Sequence, residues 1–216
     1  MTGPPSPRLA DLFIVVSGNI GVGKSTLVER LAAAVGSIGI LESHEDNRFL
    51  VPFYADPERW AFQVQAGFVA LSATDYESIR TGGKRAVLER TLEEHHQVFA
   101  TELHSQGLLS VDELRLLQRL SDSAAARAGV EPDLLIYLGA PAEELDRRVR
   151  SRDRAGESSV TLEYLTSLNH RYDEFVADWE TSPIVRVDTV AIDVRTDGGL
   201  EQVIEDCLRM VGAQSR

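Results

Sequence analysis

A glycine-rich loop between a predicted strand and a predicted helix constrains this chain more than any other feature of its sequence. The apolar run LFIVV at residues 12–16 predicts a strand, GNIGVGKST follows at residues 18–26, and residues 25–35 have a helical pattern. The loop matches G-x-x-x-x-G-K-[ST] in the strand–loop–helix context that this motif requires. Its glycines allow backbone N–H groups to turn inward around an anion, and the helix adds the positive end of its dipole. The sequence therefore predicts a binding site for a nucleoside triphosphate.

The side chains of this loop predict what else the site contains. The ammonium group of Lys24 can reach the β- and γ-phosphates, and the hydroxyl of Ser25 can ligate Mg²⁺. We therefore expect ATP and Mg²⁺ as cofactors. The predicted nucleotide-binding residues are Gly18, Asn19, Ile20, Gly21, Val22, Gly23, Lys24, Ser25 and Thr26.

The rest of the chain alternates between strand-like and helical patterns. The strand-like runs lie at residues 12–16, 38–41, 86–89, 133–138 and 183–189. Alternation of this kind favours a parallel sheet that helices cover on both faces. We therefore predict an α/β, three-layer P-loop NTPase fold with about five parallel strands. Residues 11–216 are expected to form one domain, preceded by a disordered, Pro-rich tail at residues 1–10.

Composition limits the partners and the compartment of the protein. The formal net charge of -12 and the pI near 4.9 argue against binding to nucleic acid or to an anionic membrane, since both need a basic surface. The single cysteine, Cys207, cannot form an intramolecular disulfide, and its amphipathic surroundings predict a buried, unreactive thiol. No stretch approaches the length of a membrane span. We expect a soluble, cytoplasmic protein with a small-molecule substrate.

Three classes of protein use such a loop: switch GTPases, motor-type ATPases and small-molecule kinases. A GTPase should carry an N-K-x-D guanine reader, and the sequence has none. A motor-type ATPase usually has an apolar strand that ends in Asp, whereas the runs here end in Gly139 and in Glu89. The sequence therefore favours a kinase.

Carboxylates follow two of the predicted strands at the edge where ligands of α/β sheets bind. Glu42 comes directly after the second strand, where it can act as the base that a kinase uses on a hydroxyl. Glu89 and Arg90 end the third strand. Glu89 could hold Mg²⁺ or its water, and Arg90 could orient an acidic base through a bidentate contact. A solvated loop acid and a structural ion pair are the alternatives that spacing alone leaves open.

A cluster of arginines predicts a lid. Five arginines lie within residues 147–154 of a chain that is acidic overall. Arg148 and Arg152 are four residues apart and share a helix face, where guanidinium groups can stabilise a transferring phosphoryl group. With Arg154 and the flexible Gly156, they predict a water-excluding lid at about residues 147–160. A solvated basic face is the alternative.

Together these motifs resemble the deoxyribonucleoside kinase family, most closely its bacterial deoxyadenosine/deoxyguanosine kinase branch. GNIGVGKST resembles the phosphate loop of that family, and LESHEDNRFLVPFYADPERWAFQVQ at residues 41–65 resembles its segment of acid and substrate-binding residues. The resemblance extends from Leu12 to the C-terminus. It implies a homodimeric enzyme that transfers the γ-phosphoryl of ATP to the 5′-hydroxyl of a (deoxy)nucleoside, with purine deoxynucleosides slightly favoured.

The resemblance also implies roles on the nucleoside side of the site. Glu42 matches the general base that takes the proton of the 5′-hydroxyl. Tyr54 and the lid acid Glu157 match the groups that bond the 3′-hydroxyl. Gln65 matches the glutamine that pairs with the base edge, and Phe99 matches an aromatic that stacks on the base.

On the phosphate side, the resemblance implies that Glu89 and Arg90 are the acid–arginine pair of the third strand. Arg148, Arg152 and Arg154 match the lid arginines. VDTVAIDV at residues 187–194 resembles the loop around the adenine of ATP. Ser25 and Glu89 are the predicted metal-binding residues.

Three positions depart from the family pattern and leave the base preference open. His95 stands where many relatives have Asp, Ser72 stands where many have a base-reading Arg, and Glu93 replaces the usual Tyr. A modified nucleoside in a specialised pathway or a nucleoside monophosphate is an alternative substrate. A nucleotide-binding regulator without catalysis is the alternative from another class.

Overall fold

A parallel sheet of five strands forms the centre of the structure, a computed structural model that describes residues 9–83, 85–152 and 159–214. Its order is β2-β3-β1-β4-β5, and all four neighbouring pairs are parallel. All strands therefore end at one edge of the sheet, as predicted. The strands are β1 (Phe13–Gly18), β2 (Ile38–Ile40), β3 (Ala86–Glu89), β4 (Leu134–Gly139) and β5 (Ile184–Asp188).

Helices cover both faces of this sheet, which confirms the predicted three-layer α/β fold. They are α1 (Lys24–Val35), α2 (Leu50–Ala55), α3 (Pro57–Thr81), α4 (Leu92–Glu94), α5 (Thr101–Ser105), α6 (Val111–Ala128), α7 (Ala142–Arg152), α8 (Leu162–Ala177) and α9 (Asp197–Gln214). A π-helical segment, His95–Ala100, joins α4 to α5. None of the described helices is long and apolar enough to cross a membrane.

The two faces of β1 belong to two separate hydrophobic cores. Ile14 and Val16 pack in a core with residues of α1, α7 and α9, whereas Phe13 and Val15 pack in a core with residues of α3 and α6. This follows from the alternation of side chains along a strand. The first core includes Cys207, whose thiol pKa is raised to about 12 by burial. The thiol is therefore protonated at neutral pH, as the sequence predicts.

The helix boundaries follow the capping signals of the sequence. The side chain of Asp56 accepts a hydrogen bond from the backbone N–H of Arg59 at the start of α3. Ser110 and Glu113 form a capping box at the start of α6, and Gly129 ends that helix in the left-handed conformation.

Two local features differ from the sequence reading. Residues 93–106 have one continuous helical pattern, but the structure places the π-helical segment within them. Helix α2 forms in the segment for which the sequence predicted site residues but no helix. At the N-terminus, Leu9–Asp11 forms a short 3₁₀ helix with Leu9 buried, and residues 1–8 of the predicted tail lie outside the described residues.

The side chain of Asn47 connects the segment after β2 to α3 by a hydrogen bond. This side chain is buried, donates to the carbonyl of Val64 at 2.9 Å and accepts from the backbone N–H of Phe49 at 3.2 Å. Gly67 makes room for it, because a Cβ there would lie 2.7 Å from the Asn47 Oδ1. The position of the acidic segment beside α3 therefore depends on one buried amide.

We predict that Asn47→Ala lowers the free energy of unfolding by about 1–3 kcal/mol, because it removes both hydrogen bonds of a buried amide, one of which joins the segment to α3. Urea denaturation measures this change. Asp46→Ala is the matched control: Asp46 is the exposed neighbour, and its removal is expected to change the stability by less than about 0.5 kcal/mol. Equal effects of the two substitutions would contradict the role given to Asn47.

Candidate active site

The loop after β1 has the backbone geometry of an anion-binding turn. Gly23 precedes α1 with a φ of 106°, in a left-handed conformation that favours glycine. Gly18 has a φ of 139°, and a Cβ there would lie 2.4 Å from the carbonyl oxygen of Leu138. Asn19 ties the loop to α8 by donating to the carbonyl of Leu165 at 2.9 Å and to the side chain of Asn169 at 2.8 Å.

Lys24 lies at the first position of α1 and is almost fully buried. Its ammonium group donates to the carbonyl oxygen of Asn19 at 3.0 Å. Burial and the nearby Arg90 guanidinium lower the pKa of Lys24 to about 8, although Glu89 and Glu42 oppose this shift. A phosphate bound beside this ammonium group would favour its protonated form and raise its pKa again.

A cleft of about 430 Å³ opens over the loop. The cleft is also lined by Arg148 and Arg152 from α7 and by residues of the segment after β5, including Thr189. Arg148 spans the cleft wall: it donates to the carbonyl of Thr189 at 2.9 Å and to Glu144 at 2.7 Å. The predicted phosphate loop, two predicted lid arginines and part of the predicted adenine loop therefore surround one space.

Arg90 is a buried cation on a disfavoured backbone. It follows β3 with a φ of 74°, the one non-glycine residue with a positive φ among the described residues. Its guanidinium donates to Glu42 at 2.9 Å, to Glu94 at 3.3 Å and to the hydroxyl of Tyr172. It also lies 4.4 Å from the ring centroid of Phe99. Such conformations cost about 1–3 kcal/mol and persist where the surroundings hold them, often at active sites.

Glu42 follows β2 and faces this cation. Its side chain is 8% exposed, and His44 lies 3.4 Å from its second oxygen. Burial alone would raise the pKa of Glu42, but Arg90 and the histidines nearby outweigh it and lower the pKa to about 2. The carboxylate is therefore ionised at neutral pH and directed by one guanidinium.

Two residues of this network were missed by the sequence reading. Glu94 is fully buried, and burial raises its pKa despite the opposing charge of Arg90. Tyr172 from α8, also fully buried, donates to Glu94 at 2.8 Å. The pattern T-x-x-E from Thr91 to Glu94 was a usable signal, because the two form a capping box. Tyr172 gave no signal, since it sits within an apolar helical stripe.

Oxygen donors suitable for Mg²⁺ lie between the loop and the third strand. The Ser25 hydroxyl donates to a Glu89 carboxylate oxygen at 3.0 Å. Carboxylate oxygens of Glu42 and Glu89 lie within 4.8 Å of each other and of a ring nitrogen of His44. The hydroxyl and carboxylate oxygens fit a magnesium ion that keeps several waters and the phosphates of its nucleotide, whereas a ring nitrogen is not a ligand that Mg²⁺ prefers.

A second, narrower cavity adjoins the cleft and shares Ile20, His44, Leu50, Tyr54 and Arg90 with it. The residues that line this cavity and not the cleft include Gln65 and Phe68 from α3 and His95 and Phe99 from the π-helical segment. Glu42 lines it as well. A carboxylate and an arginine thus stand where the narrow cavity meets the cleft over the glycine loop.

The structure brings most of the predicted site residues together. Glu42, Tyr54, Gln65, Arg90 and Phe99 line the narrow cavity, and loop residues Ile20–Thr26, Glu89, Arg148 and Arg152 line the cleft. The predicted residues Arg154 and Glu157 lie outside the described residues.

A parallel sheet with this loop at its edge and a second cavity beside the loop is the architecture of a kinase of the P-loop NTPase fold. A sequence profile described as deoxynucleoside kinase matches residues 14–211. This match spans most of the chain, so the protein belongs to the deoxynucleoside kinase family and is an enzyme of that class, as the motifs predicted.

Individual relatives agree with this assignment. The chain is 28% identical over 201 residues to the deoxyadenosine/deoxycytidine kinase of Bacillus subtilis (strain 168), covering 92% of this chain and 93% of the relative. It is 33% identical over 184 residues to the deoxyadenosine kinase of Dictyostelium discoideum, covering 83% and 73% of the two chains. Among solved structures, that of deoxyadenosine kinase from M. mycoides with bound dATP has a TM-score of 0.77 at 21% identity, covering 90% and 98%. This structural match confirms the fold.

The depressed pKa of Glu42 predicts an acid-labile contribution to stability. Its pKa lies near 2 in the folded protein against a usual value of 4.5, so the contribution is full above pH 5 and is lost as the pH falls toward 2. We expect the difference in unfolding free energy between wild type and Glu42→Gln to shrink by about 3 kcal/mol over this range.

Denaturant titrations at a series of pH values measure that difference. Glu45→Gln, at an exposed position of the same segment, is the control and is expected to differ little from wild type throughout. A gap between wild type and Glu42→Gln that stays constant from pH 5 to pH 2 would argue against the buried ion pair.

Proposed function

We propose that this enzyme transfers the γ-phosphoryl group of ATP to the 5′-hydroxyl of a deoxynucleoside, with a purine deoxynucleoside slightly favoured. The observation that carries this proposal is the position of the Glu42 carboxylate. It lines the narrow cavity and is held by Arg90, which borders both that cavity and the phosphate cleft. Relatives named as deoxyadenosine kinases support the purine preference.

The proposed reaction uses Glu42 as the proton acceptor. The ionised carboxylate accepts a hydrogen bond from the 5′-hydroxyl and aligns its oxygen with the γ-phosphorus. As the new O–P bond forms and the bond to the ADP oxygen breaks, the proton passes to Glu42. A carboxylate of low pKa suits a transition state in which the hydroxyl proton leaves late, because phosphoryl transfer is largely dissociative.

Positive charge around the cleft offsets the charge of the transferring group. Lys24 and Arg148 lie on two sides of the cleft, with Arg152 beside Arg148 on α7. Arg154 is proposed to complete this set from the lid at about residues 147–160, and the lid acid Glu157 is proposed to bond the 3′-hydroxyl of the sugar. Ser25 and Glu89 would hold Mg²⁺, which supplies charge neutralisation at the phosphates when bound.

Sugar and base contacts are proposed from the lining of the narrow cavity. Tyr54 would bond the 3′-hydroxyl, Gln65 would pair with the base edge and Phe99 would stack on the base. A single kinase domain, a homodimer and a cytoplasmic location remain predictions of the sequence resemblance and composition.

The central experiment measures ATP consumption with a panel of deoxynucleosides and their monophosphates. Wild type is expected to phosphorylate nucleosides, and Glu42→Gln to lose at least about 100-fold in kcat while binding ATP normally. Glu45→Gln is the matched control for loss of one carboxylate and should retain turnover. Phosphorylation of monophosphates alone would overturn the proposed acceptor.

We predict that ATP binding weakens above neutral pH because of Lys24. With a pKa near 8, this side chain loses its charge as the pH rises, so the Kd for ATP should increase about tenfold from pH 7 to pH 9. Isothermal titration calorimetry with Mg²⁺ present measures this. Lys24→Met should bind ATP more weakly and show no such trend. A flat pH profile for wild type would contradict the lowered pKa.

A further inference from the structure

The narrow cavity is lined by polar groups that take no part in the chemical step of the proposed phosphoryl transfer. Gln65 is 5% exposed, and its amide oxygen is buried with no hydrogen-bond partner among the described residues. A buried, unpaired amide oxygen costs about 1–3 kcal/mol, so it marks a place where a ligand supplies the missing partner.

The second group is a hydrogen-bonded pair of side chains. Ser72 Oγ lies 2.7 Å from His95 Nε2, and these are the two positions at which the sequence departs from the charged residues of many relatives. The His95 ring lines the cavity and is stacked parallel to Phe68, with 5.7 Å between the ring centroids. Ser72 is its hydrogen-bond partner among the described residues, so Nδ1 is the ring nitrogen that remains for a ligand.

His95 is neutral in this environment. Burial lowers its pKa to about 3, and the charge of Arg90 lowers it further against the opposing effect of Glu42. A neutral imidazole has one nitrogen that donates and one that accepts, and the two tautomers exchange these roles.

The serine hydroxyl allows either tautomer at little cost. Ser72 can donate to a bare Nε2, which leaves Nδ1–H as a donor toward the cavity. It can equally accept from Nε2–H, which leaves Nδ1 as an acceptor. Rotation of the Gln65 amide exchanges its donor and acceptor in the same way. Neither group carries a charge that would favour one choice.

Nucleobases differ in whether the edge that faces such groups carries a hydrogen-bond donor or an acceptor. Adenine and cytosine present an exocyclic amino donor, whereas guanine and thymine present a keto acceptor. A reader with a fixed donor or acceptor rejects the wrong base strongly, since buried polar groups are then left unpaired.

We propose that Gln65 and the Ser72–His95 pair form an uncharged, reversible base reader, which accepts nucleosides with an amino or a keto group at the same position. The inference rests on the proposed function of the cavity and names its class of substrate: deoxynucleosides of both amino and keto bases.

Two pairs of substrates test how the base edge is recognised without changing the size of the base. Deoxyadenosine and deoxyinosine differ by an amino-to-keto change in a purine, and deoxycytidine and deoxyuridine differ by the same change in a pyrimidine. We expect kcat/KM within each pair to agree within about tenfold. A preference above about 100-fold for one member of a pair would overturn the reversible reader, while phosphorylation of none of the four would contradict the proposed function itself.

His95→Asp replaces the ring that can change tautomer by a carboxylate that only accepts hydrogen bonds. This variant is expected to favour the amino member of each pair by at least about 100-fold. His96→Asp is the matched control, because His96 is the adjacent buried histidine and lines neither cavity. An amino-to-keto ratio that His95→Asp leaves unchanged would refute the role of His95.

A spectroscopic readout on the wild-type protein tests the tautomers without any variant. With ¹⁵N-labelled histidine, we expect Nδ1 of His95 to be unprotonated in the deoxyadenosine complex and protonated in the deoxyinosine complex. The same protonation state of Nδ1 in both complexes would refute the tautomer exchange.

Discussion

The buried ion pair between Arg90 and Glu42 is the interaction on which the rest of the active site depends. Arg90 has a left-handed backbone conformation that residues other than glycine disfavour. Its three side-chain partners keep it there: Glu42 after β2, Glu94 in α4 and Tyr172 in α8. Loss of one partner of such a pair leaves an uncompensated buried charge, which typically costs about 3–5 kcal/mol. The same contact therefore stabilises the fold at the sheet edge and directs the carboxylate of the proposed base.

The fold followed from the sequence because its signals are local and repeated. Apolar runs, capping residues such as Asp56 and Ser110, and the glycine loop each specify structure within a few residues, and the observed strands agree with the predicted ones to within about two residues. The π-helical segment His95–Ala100 escaped this reading, since its hydrophobic pattern does not differ visibly from that of an α-helix.

The site was predictable only where a residue belongs to a motif or ends a strand. The phosphate loop, Glu42 and Arg90 meet this condition, and they lie together at the strand ends. Glu94 and Tyr172 lie 78 positions apart in the chain and meet beside a third residue, Arg90. No rule of sequence spacing therefore connects them. The contact between Ser72 and His95 depends on how α3 crosses the π-helical segment, and sequence patterns do not encode that crossing.

The π-helical segment determines where this helix can gain or lose a residue. The backbone N–H of Thr101 bonds the carbonyl of His96, five residues back, so this turn holds one residue more than an α-helical turn. Winding the same residues as an α-helix would rotate α5 by about 100° relative to α4, so the wide turn keeps the two parts of the helix in register. Deleting one residue of this segment would restore α-helical winding and leave α5 in nearly the same orientation. The chain can therefore lose a residue here without misaligning the helix, whereas the same deletion elsewhere in it would rotate one part against the other.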